Sequence, residues 1–325
     1  MIPIKKWTCG NCEKINLGQK SCGLGLGNRE PEGYGCCVGL NYFQDRGVTR
    51  TYTHTIGETD YREVILTSLP WDKPLSKIRV GFECPNEMFP SILPLGDFNF
   101  ALTKEVLKSP ELAEYYRTSK KFCFLDNSTN EELVPCSLKE IEQAANLIHP
   151  DKVVAPDFLG DSTKTLAGLP ATIDTFGRGN VLPVVQGASL EEIFDCAKGV
   201  RGHSFDCIAV PYDLVLGRNA SVADMARVRS LVVYHLVETL KFKRIHLLGL
   251  TSLEELVYYW WVPEIRSSIE SIDTGGPILM GLQGLKYPQE WSYKRTPTLK
   301  LMEKLPDVYN YDYILKNIAF LRTLL

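Results

Sequence analysis

The chain has 325 residues, 44% of them hydrophobic and 23% charged, which is enough for one large globular domain or two modest ones. This composition excludes an intrinsically disordered protein, which would have fewer core-forming residues and a larger net charge. No apolar run approaches the roughly 18 residues that a membrane-spanning helix needs. The start of the chain lacks the apolar stretch of a secretory signal, so we expect a cytoplasmic protein with no membrane partner. The net charge of −3 gives no global attraction to nucleic acid, so a polyanion would bind through local basic patches.

The N-terminal segment, residues 1–55, differs in composition from the remaining residues, 56–325. It is rich in Gly, Cys and turn-forming residues and has no sustained helical or strand periodicity. A segment of this kind can hardly build a core of its own, so a metal ion or the main domain must hold it. We therefore expect a cysteine-rich N-terminal segment followed by one catalytic domain.

Cysteines in this segment have a spacing that favours metal binding. Cys9 and Cys12 form a CxxC knuckle, and Cys22 and Cys36 (or Cys37) supply further thiolates. These thiolates are enough for a tetrahedral zinc site, which makes zinc the metal that we expect. An iron–sulfur cluster is the second metal alternative, and a reduced arm packed against the main domain is the interpretation without a metal.

From about residue 60 onward, short apolar runs alternate with helical patterns. Continuous stretches of Val, Ile, Leu and Phe are typical of strands that are buried on both faces of a parallel sheet. The runs lie at 62–69, 77–82, 121–125, 152–156, 181–185, 206–211, 244–250 and 268–273.

Helix-start signals follow several of these runs. A Ser-x-x-Glu capping box, in which the hydroxyl and the carboxylate satisfy free N–H groups, occurs at 137–140, 189–192 and 252–255. Apolar residues at helical spacing also predict one long helix over 221–240. Repeated βα units are typical of a closed (β/α)₈ barrel or of an open doubly wound sheet. Because the first βα turn carries no glycine-rich nucleotide-binding fingerprint and no P-loop motif occurs, we expect a TIM-like (β/α)₈ barrel of the α/β class.

Polar residues stand where the predicted strands end. In a barrel of parallel strands the chemistry lies at these carboxyl ends, so the side chains should converge on one mouth. A single Asp after a strand is usually a turn former or helix cap, but the repetition in successive units favours a shared site. Asp161 competes with Asp157 for the role in its loop. The residues are Asp126, Asp157, Gln186, Asp213, Gly249 and Asp273.

Carboxylates dominate this predicted mouth, which limits its chemistry. No Ser-His-Asp or Cys-His arrangement and no H-E-x-x-H motif is present, and His235 and His246 lie in apolar contexts typical of core residues. Carboxylates without a metal signature favour covalent or electrostatic work at an electron-poor carbon such as an anomeric carbon. An Asp, a Gln and a bare backbone N–H together fit the edge of a purine-like base.

At these residues the sequence resembles the tRNA-guanine transglycosylase superfamily. It is most similar to the DNA-directed branch, the DpdA-type 7-deazaguanine DNA transglycosylases of phages and bacteria. The resemblance covers about residues 120–280 as short motifs in the same order. The motifs are FLDN at 124–127, VVAPD at 153–157, VVQG at 184–187, LLGL at 247–250 and SIDTGGP at 271–277.

The resemblance implies a base-exchange glycosyltransferase, a pentosyltransferase that replaces guanine in DNA by a 7-deazaguanine such as a preQ0-like base. Asp273 falls on the family's nucleophile, which attacks the anomeric carbon, expels guanine and holds a covalent glycosyl–enzyme intermediate. Asp126 falls on the family's other essential Asp, which assists proton transfer or orients the base. The incoming base reopens the intermediate, so the resemblance implies no redox cofactor and no ATP. A phage-encoded member would act in the host cytoplasm.

The resemblance also implies the residues that bind the base. Asp157 falls on the position that binds the N–H edge of the purine. Gln186 and the backbone at Gly249 and Leu250 fall on positions that bind the carbonyl and the 7-substituent.

The sequence departs from the tRNA-directed enzymes at three places. Their C-terminal zinc cluster is absent, since no Cys follows Cys207. Asn127-Ser128-Thr129-Asn130 replaces the Gly-Gly-Phe-Gln that follows the first Asp, and Thr274-Gly275-Gly276-Pro277 replaces a basic Pro-Thr-Arg run. These changes weaken the tRNA interpretation more than the DNA interpretation.

A basic and aromatic stretch at 285–300 follows the strand of the predicted nucleophile. Lys286, Lys294 and Arg295 alternate there with aromatic residues such as Trp291. Such a stretch can line the groove where a flipped nucleotide enters, and an ordinary solvated surface is the alternative.

Three hypotheses follow, in order of preference. The first is base exchange on DNA with a free 7-deazaguanine base as the second substrate. The second keeps the mechanism with tRNA as the substrate, and hydrolysis without reinsertion is a variant of both. The third is a catalytically silent barrel that binds nucleic acid or a partner protein, against which the presence of both Asp126 and Asp273 argues.

Overall fold

The computed structural model describes residues 49–56, 59–66, 78–212, 214, 222–250, 253, 255–256, 259, 263–287, 305 and 309–325. The chain divides by its contacts into a unit that ends at Lys73 and a unit that begins at Pro74. The first unit contains two strands, β1 (Thr49–Ile56) and β2 (Thr59–Leu66), which pair antiparallel. The run at 62–69 therefore supplies an antiparallel strand, whereas its sequence pattern grouped it with parallel ones.

The second unit is built from parallel strands alternating with helices, which confirms the predicted α/β class. The strands β4, β5, β6 and β7 form one parallel sheet in that order, and β3, β10, β9 and β8 form another. Seven of the predicted apolar runs coincide with these strands, and β4 was not predicted. The strands are β3 (Arg79–Phe82), β4 (Asn99–Leu102), β5 (Cys123–Asp126), β6 (Lys152–Val154), β7 (Val181–Leu182), β8 (Cys207–Pro211), β9 (Arg244–Leu248) and β10 (Ile269–Thr274).

Single parallel bridges join the two sheets at both pairs of edges. Gly81 in β3 bridges Phe98, just before β4, and Val184, just after β7, bridges Ala209 in β8. The Phe98 ring packs so closely on Gly81 that a Cβ there would overlap it. The sheets therefore follow one another in a cyclic order, with their strands all pointing the same way.

Helices connect and flank these strands. Helices of 11 to 17 residues follow β5, β6, β7 and β8, and shorter ones lie near the ends of β4, β5 and β10. The helices are α1 (Phe89–Ile92), α2 (Thr103–Lys108), α3 (Pro110–Thr118), α4 (Thr129–Glu132), α5 (Leu138–Ile148), α6 (Ser162–Phe176), α7 (Leu190–Gly202), α8 (Val222–Glu238), α9 (Pro263–Ser268), α10 (Gly276–Leu282) and α11 (Tyr311–Leu324). In the described part of the chain, none of them combines the length and the apolar character needed to cross a membrane.

Two of the three predicted capping boxes lie at helix starts. At α5 the box is complete, because Ser137 caps the backbone N–H of Glu140 while the Glu140 carboxylate accepts from the N–H of Ser137. At α7, Ser189 caps the N–H of Glu192, whose carboxylate accepts instead from the N–H of Ala188. The long helix predicted over 221–240 is confirmed as α8.

In the third predicted box, the Glu255 carboxylate takes part in a buried ion pair. Both of its carboxylate oxygens accept from the guanidinium of Arg229, at 2.5 and 2.6 Å, and both residues are buried. Arg229 also donates to the carbonyl of Leu248 at 2.8 Å, so the ion pair ties α8 to the carboxyl end of β9. A buried guanidinium needs such a bidentate partner to offset its lost hydration. Ser252 lies outside the described residues.

Alternate residues of each strand face two different cores. In β5, Phe124 packs with Phe98, Phe100 and side chains of other strands, whereas its neighbours Cys123 and Leu125 pack against helices α3 and α5. Because side chains alternate along a strand, Asp126 lies on the same side as Phe124. The strand thus directs its terminal carboxylate to the side enclosed by the other strands.

Candidate active site

The carboxyl ends of the parallel strands surround a cleft of about 530 Å³. Four of the predicted site residues line it: Asp126 at the end of β5, Asp157 after β6, Gly249 after β9 and Asp273 in β10. Gln186, after β7, is fully buried and reaches the cleft through Asp157. The structure therefore brings together carboxylates that are more than a hundred residues apart in sequence.

Asp273 is a buried carboxylate that is only 2% exposed. Its Oδ2 accepts a hydrogen bond from the backbone N–H of Gly249 at 2.9 Å, and its Oδ1 lies 3.1 Å from Nε2 of His246. Its main-chain carbonyl accepts from the N–H of Leu250 at 3.0 Å. These bonds hold the side chain in one orientation against the end of β9.

His246 positions Asp273 from inside the strand layer. Its Nδ1 lies 2.8 Å from Oγ of Ser271, and its ring packs against the rings of Phe100 and Phe124. The neutral tautomer with its proton on Nε2 satisfies both contacts, since Nε2 donates to Asp273 and Nδ1 accepts from the Ser271 hydroxyl. The prediction that His246 is a core residue is confirmed by its burial, but its contact with a site carboxylate was not predicted.

Asp157 is held by two side-chain amides. Asn127 donates to its Oδ1 at 2.8 Å and Gln186 donates to its Oδ2 at 2.5 Å. The Gln186 amide is oriented in turn, because its Oε1 accepts from the N–H of Gly160 at 3.2 Å. Burial raises the pKa of Asp157, while the bonds from Gln186 and Asn127 oppose that change.

Asp126 is the last residue of β5 and lies close to the start of α4. Its Oδ2 accepts from the backbone N–H of Ser128 at 2.7 Å. Burial and then the negative charge of Glu131 raise the pKa of Asp126 well above its usual value, although the Ser128 bond opposes them. The surroundings of this carboxyl therefore favour its protonated form more than bulk water does.

Two glutamates that the sequence analysis did not select join this carboxylate group. Glu83 follows β3 and Glu131 lies in α4, and both line the cleft. Burial is the main reason why the pKa of Glu131 rises to about 7 and why that of Glu83 lies well above its usual value. The rule applied to the other strands, which takes the first polar residue after the run, would have found Glu83 after the run at 77–82.

A second compartment of about 840 Å³ adjoins the cleft. Glu83, Phe100 and Glu131 line both spaces, and Phe89 and Leu112 belong to the wall of the compartment. Glu83 and Glu131 thus stand where the two spaces adjoin.

Gly249 has a conformation and surroundings that favour glycine. Its φ is +68°, and a Cβ there would lie 2.7 Å from Cδ1 of Tyr212. The Tyr212 hydroxyl donates to Oδ1 of Asn130 at 2.9 Å, which fixes the ring across the cleft. In this conformation the Gly249 N–H donates to Oδ2 of Asp273.

Several predicted residues lie elsewhere or outside the described residues. Asp161 is the N-cap of α6 and accepts from the N–H of Lys164 at 2.9 Å, so it has a structural role. Lys286 places its ammonium 4.1 Å from the centre of the Tyr313 ring. The predictions made for Asp213, Lys294, Arg295, Cys9, Cys12, Cys22 and Cys36 fall outside the described residues.

The described residues contain no group of three or more His, Cys, Asp or Glu side chains arranged to hold a metal ion. The cysteine site predicted for zinc therefore stays a prediction.

Comparisons with known proteins give no family for the chain. No protein-family model matches it, and a search of curated proteins finds no match.

Proposed function

We propose that the chain is a base-exchange glycosyltransferase that replaces guanine in DNA by a 7-deazaguanine base. The proposal includes a closed (β/α)₈ barrel as its scaffold, supported by the cyclic strand order and by the bridges Gly81–Phe98 and Val184–Ala209. The resemblance of the five strand-end motifs to the transglycosylase superfamily supports the choice of reaction.

The observation that carries the proposal is the buried Asp273 carboxylate, fixed between the Gly249 N–H and His246 beside a cleft. A nucleophile must be held within reach of the reacting carbon in one orientation, and both contacts hold the Asp273 carboxylate in place. In this proposal one Asp273 oxygen attacks C1′ of the target nucleotide, and the bond from C1′ to guanine breaks. A covalent glycosyl–enzyme ester results, and the incoming base reverses the step.

Asp157 has the hydrogen-bonding capacity that a guanine edge requires. A carboxylate has about four acceptor positions, and Asn127 and Gln186 use one position on each oxygen. The remaining positions match the ring N–H and amino group that guanine and 7-deazaguanine share. The amides orient Asp157 in advance, so that base binding does not have to pay the entropy of ordering it.

The target nucleotide has to leave the duplex before Asp273 can reach its anomeric carbon. Enzymes that act on a base flip it into a pocket at the cost of a few kcal/mol of stacking and pairing. The cleft at the strand ends is the space that we propose for this nucleotide, since Asp157 and Asp273 both line it. Lys286, Lys294 and Arg295 remain the residues that we propose for the nucleic-acid backbone.

Release of labelled guanine tests the proposal. We expect release from double-stranded DNA that depends on an added 7-deazaguanine base, and no release by Asp273→Asn. Asp161→Asn is the matched control, because asparagine also caps a helix, and it should retain exchange. Release from tRNA alone would move the substrate to RNA, and release without any added base would indicate hydrolysis. Wild-type release by Asp273→Asn would remove the proposed nucleophile.

A further inference from the structure

Glu83 directly follows β3, the strand that pairs with the Asp273 strand β10. Asp273 in β10 is in register with Gly81 in β3, and the N–H of Glu83 donates to the carbonyl of Thr274 at 3.2 Å. Both carboxyl groups line the cleft. A group that reaches the same space as the proposed nucleophile can contact the same substrate atoms.

The surroundings of Glu83 favour its protonated form. Its pKa is raised well above the usual value, first by burial and then by the negative charges of Asp273, Glu131 and Asp126, which reach it from β10, α4 and β5. A hydrogen bond with Asp273 raises it further. Two carboxyl groups in contact cannot both ionise easily, so one keeps a proton for the pair.

Asp126 is less suited to transfer a proton at this point. One of its carboxylate oxygens is already bonded to the Ser128 N–H at 2.7 Å, which anchors the side chain at the start of α4. That bond favours the charged form of Asp126 and opposes the effect of burial. The Glu83 carboxyl, in contrast, lines the same cleft as the proposed nucleophile, whose negative charge helps to raise the pKa of Glu83.

We propose that Glu83 is a catalytic residue that donates a proton to the departing base and removes one from the incoming base, an inference that rests on the proposed function. In the first half-reaction an Asp273 oxygen forms a bond to C1′, and the electron pair of the C1′–N9 bond moves to guanine. The Glu83 carboxyl gives its proton to a ring nitrogen of that guanine and becomes a carboxylate. In the second half-reaction N9 of the 7-deazaguanine attacks C1′, the ester electron pair returns to Asp273, and Glu83 takes the N9 proton.

The reaction itself changes the acidity of Glu83 in the required direction. Before attack, the charge of Asp273 holds the proton on Glu83. Formation of the ester removes that charge, so Glu83 becomes a stronger acid as the base departs. When the ester breaks, the charge returns and Glu83 again binds a proton. Paired carboxylates in retaining glycosidases alternate between acid and base by the same electrostatic logic.

Glu83→Gln tests the inference because glutamine can donate a hydrogen bond but cannot transfer a proton. We expect guanine release to fall by about 10²–10⁴-fold, which is the usual contribution of a general acid. Glu87→Gln, at an exposed position in the same segment, should behave as wild type. The substrate is then changed to DNA with 7-methylguanine at the target position, since this cationic base departs without a proton. With it, Glu83→Gln should form the covalent adduct at close to the wild-type rate.

The results separate the inference from the function on which it rests. A wild-type rate of Glu83→Gln on guanine, or an equal defect on 7-methylguanine, would overturn the role of Glu83 alone. No guanine release by the wild-type protein would overturn the proposed function. Circular dichroism of both variants, together with the retained activity on 7-methylguanine, distinguishes loss of proton transfer from loss of folding.

Discussion

Nε2 of His246 lies 3.1 Å from Oδ1 of Asp273, and Nδ1 of the same ring lies 2.8 Å from the hydroxyl of Ser271. Ser271 and Asp273 are alternate residues of β10, so one strand supplies both partners of the imidazole. The carboxylate can only accept, so it favours a proton on Nε2, and the serine hydroxyl can then donate to Nδ1. The pairing orients the proposed nucleophile from inside the strand layer.

Replacement of His246 by phenylalanine should reduce activity without unfolding the protein. Phenylalanine keeps the stacking with Phe100 and Phe124 but removes the bond to Asp273. Loss of a hydrogen bond to a charged group costs about 1.5–3 kcal/mol, so kcat/KM for guanine exchange should fall by about 10- to 100-fold. His203→Phe, at an exposed position after α7, is the control. An unchanged kcat/KM in His246→Phe would contradict the positioning role.

Replacement of Gly249 by alanine should disturb the same carboxylate from the other side. Alanine is strained at a φ of +68°, and its Cβ would meet the Tyr212 ring at 2.7 Å. We expect a loss of about 1–3 kcal/mol of stability from the strained backbone and a lower kcat, because the N–H moves away from Asp273. Gly284→Ala has a similarly positive φ of +76° but open space around it, which separates backbone strain from the clash. Equal effects of the two variants on kcat would show that the Tyr212 contact is irrelevant.

The ionisation of Glu131 should lower the free energy of unfolding as the pH rises. An unfolded glutamate titrates near pH 4.5, whereas the folded state raises the pKa of Glu131 to about 7. The folded protein therefore binds this proton more tightly. Its contribution to stability is complete below pH 4.5, declines as the pH rises and is lost above about 7. The total is on the order of 3 kcal/mol.

Chemical unfolding of Glu131→Gln at several pH values measures this contribution. Glutamine cannot ionise, so the free energy of unfolding should decrease less between pH 5 and 8 than in the wild type. Glu132→Gln, its exposed neighbour, should keep the wild-type slope. Parallel slopes for all three proteins would mean that Glu131 is not responsible.

The apolar runs predicted seven of the strands in the second unit because those strands are continuous stretches of core residues. Strand β4 escaped prediction because it is short and begins with Asn99, a buried amide whose side chain has no hydrogen-bond partner within the described part of the chain. A polar residue at such a position cancels the hydrophobic signal.

Site residues could be predicted where a polar residue stands at the end of an apolar run. Asp126, Asp157 and Asp273 follow apolar runs, and Asp157 and Asp273 meet across the cleft as expected. His246 was not predictable as a partner of Asp273, because a buried imidazole in an apolar stretch has the same local pattern whether or not it contacts a carboxylate. The pairing of Glu255 with Arg229 could not be predicted either, since the two residues are 26 positions apart in sequence.

The adjacency of β3 and β10 has a consequence for how the protein is made. Arg79 and Glu270 pair across these strands although they are 191 residues apart in the chain, and the Glu83–Asp273 pair closes over a similar span. Contacts between residues so far apart form late in folding, because the entropy of closing a long loop must be overcome first. During synthesis on the ribosome, the proposed acid and nucleophile therefore cannot meet until nearly the whole second unit has emerged. The nascent chain is expected to acquire activity in a single late step.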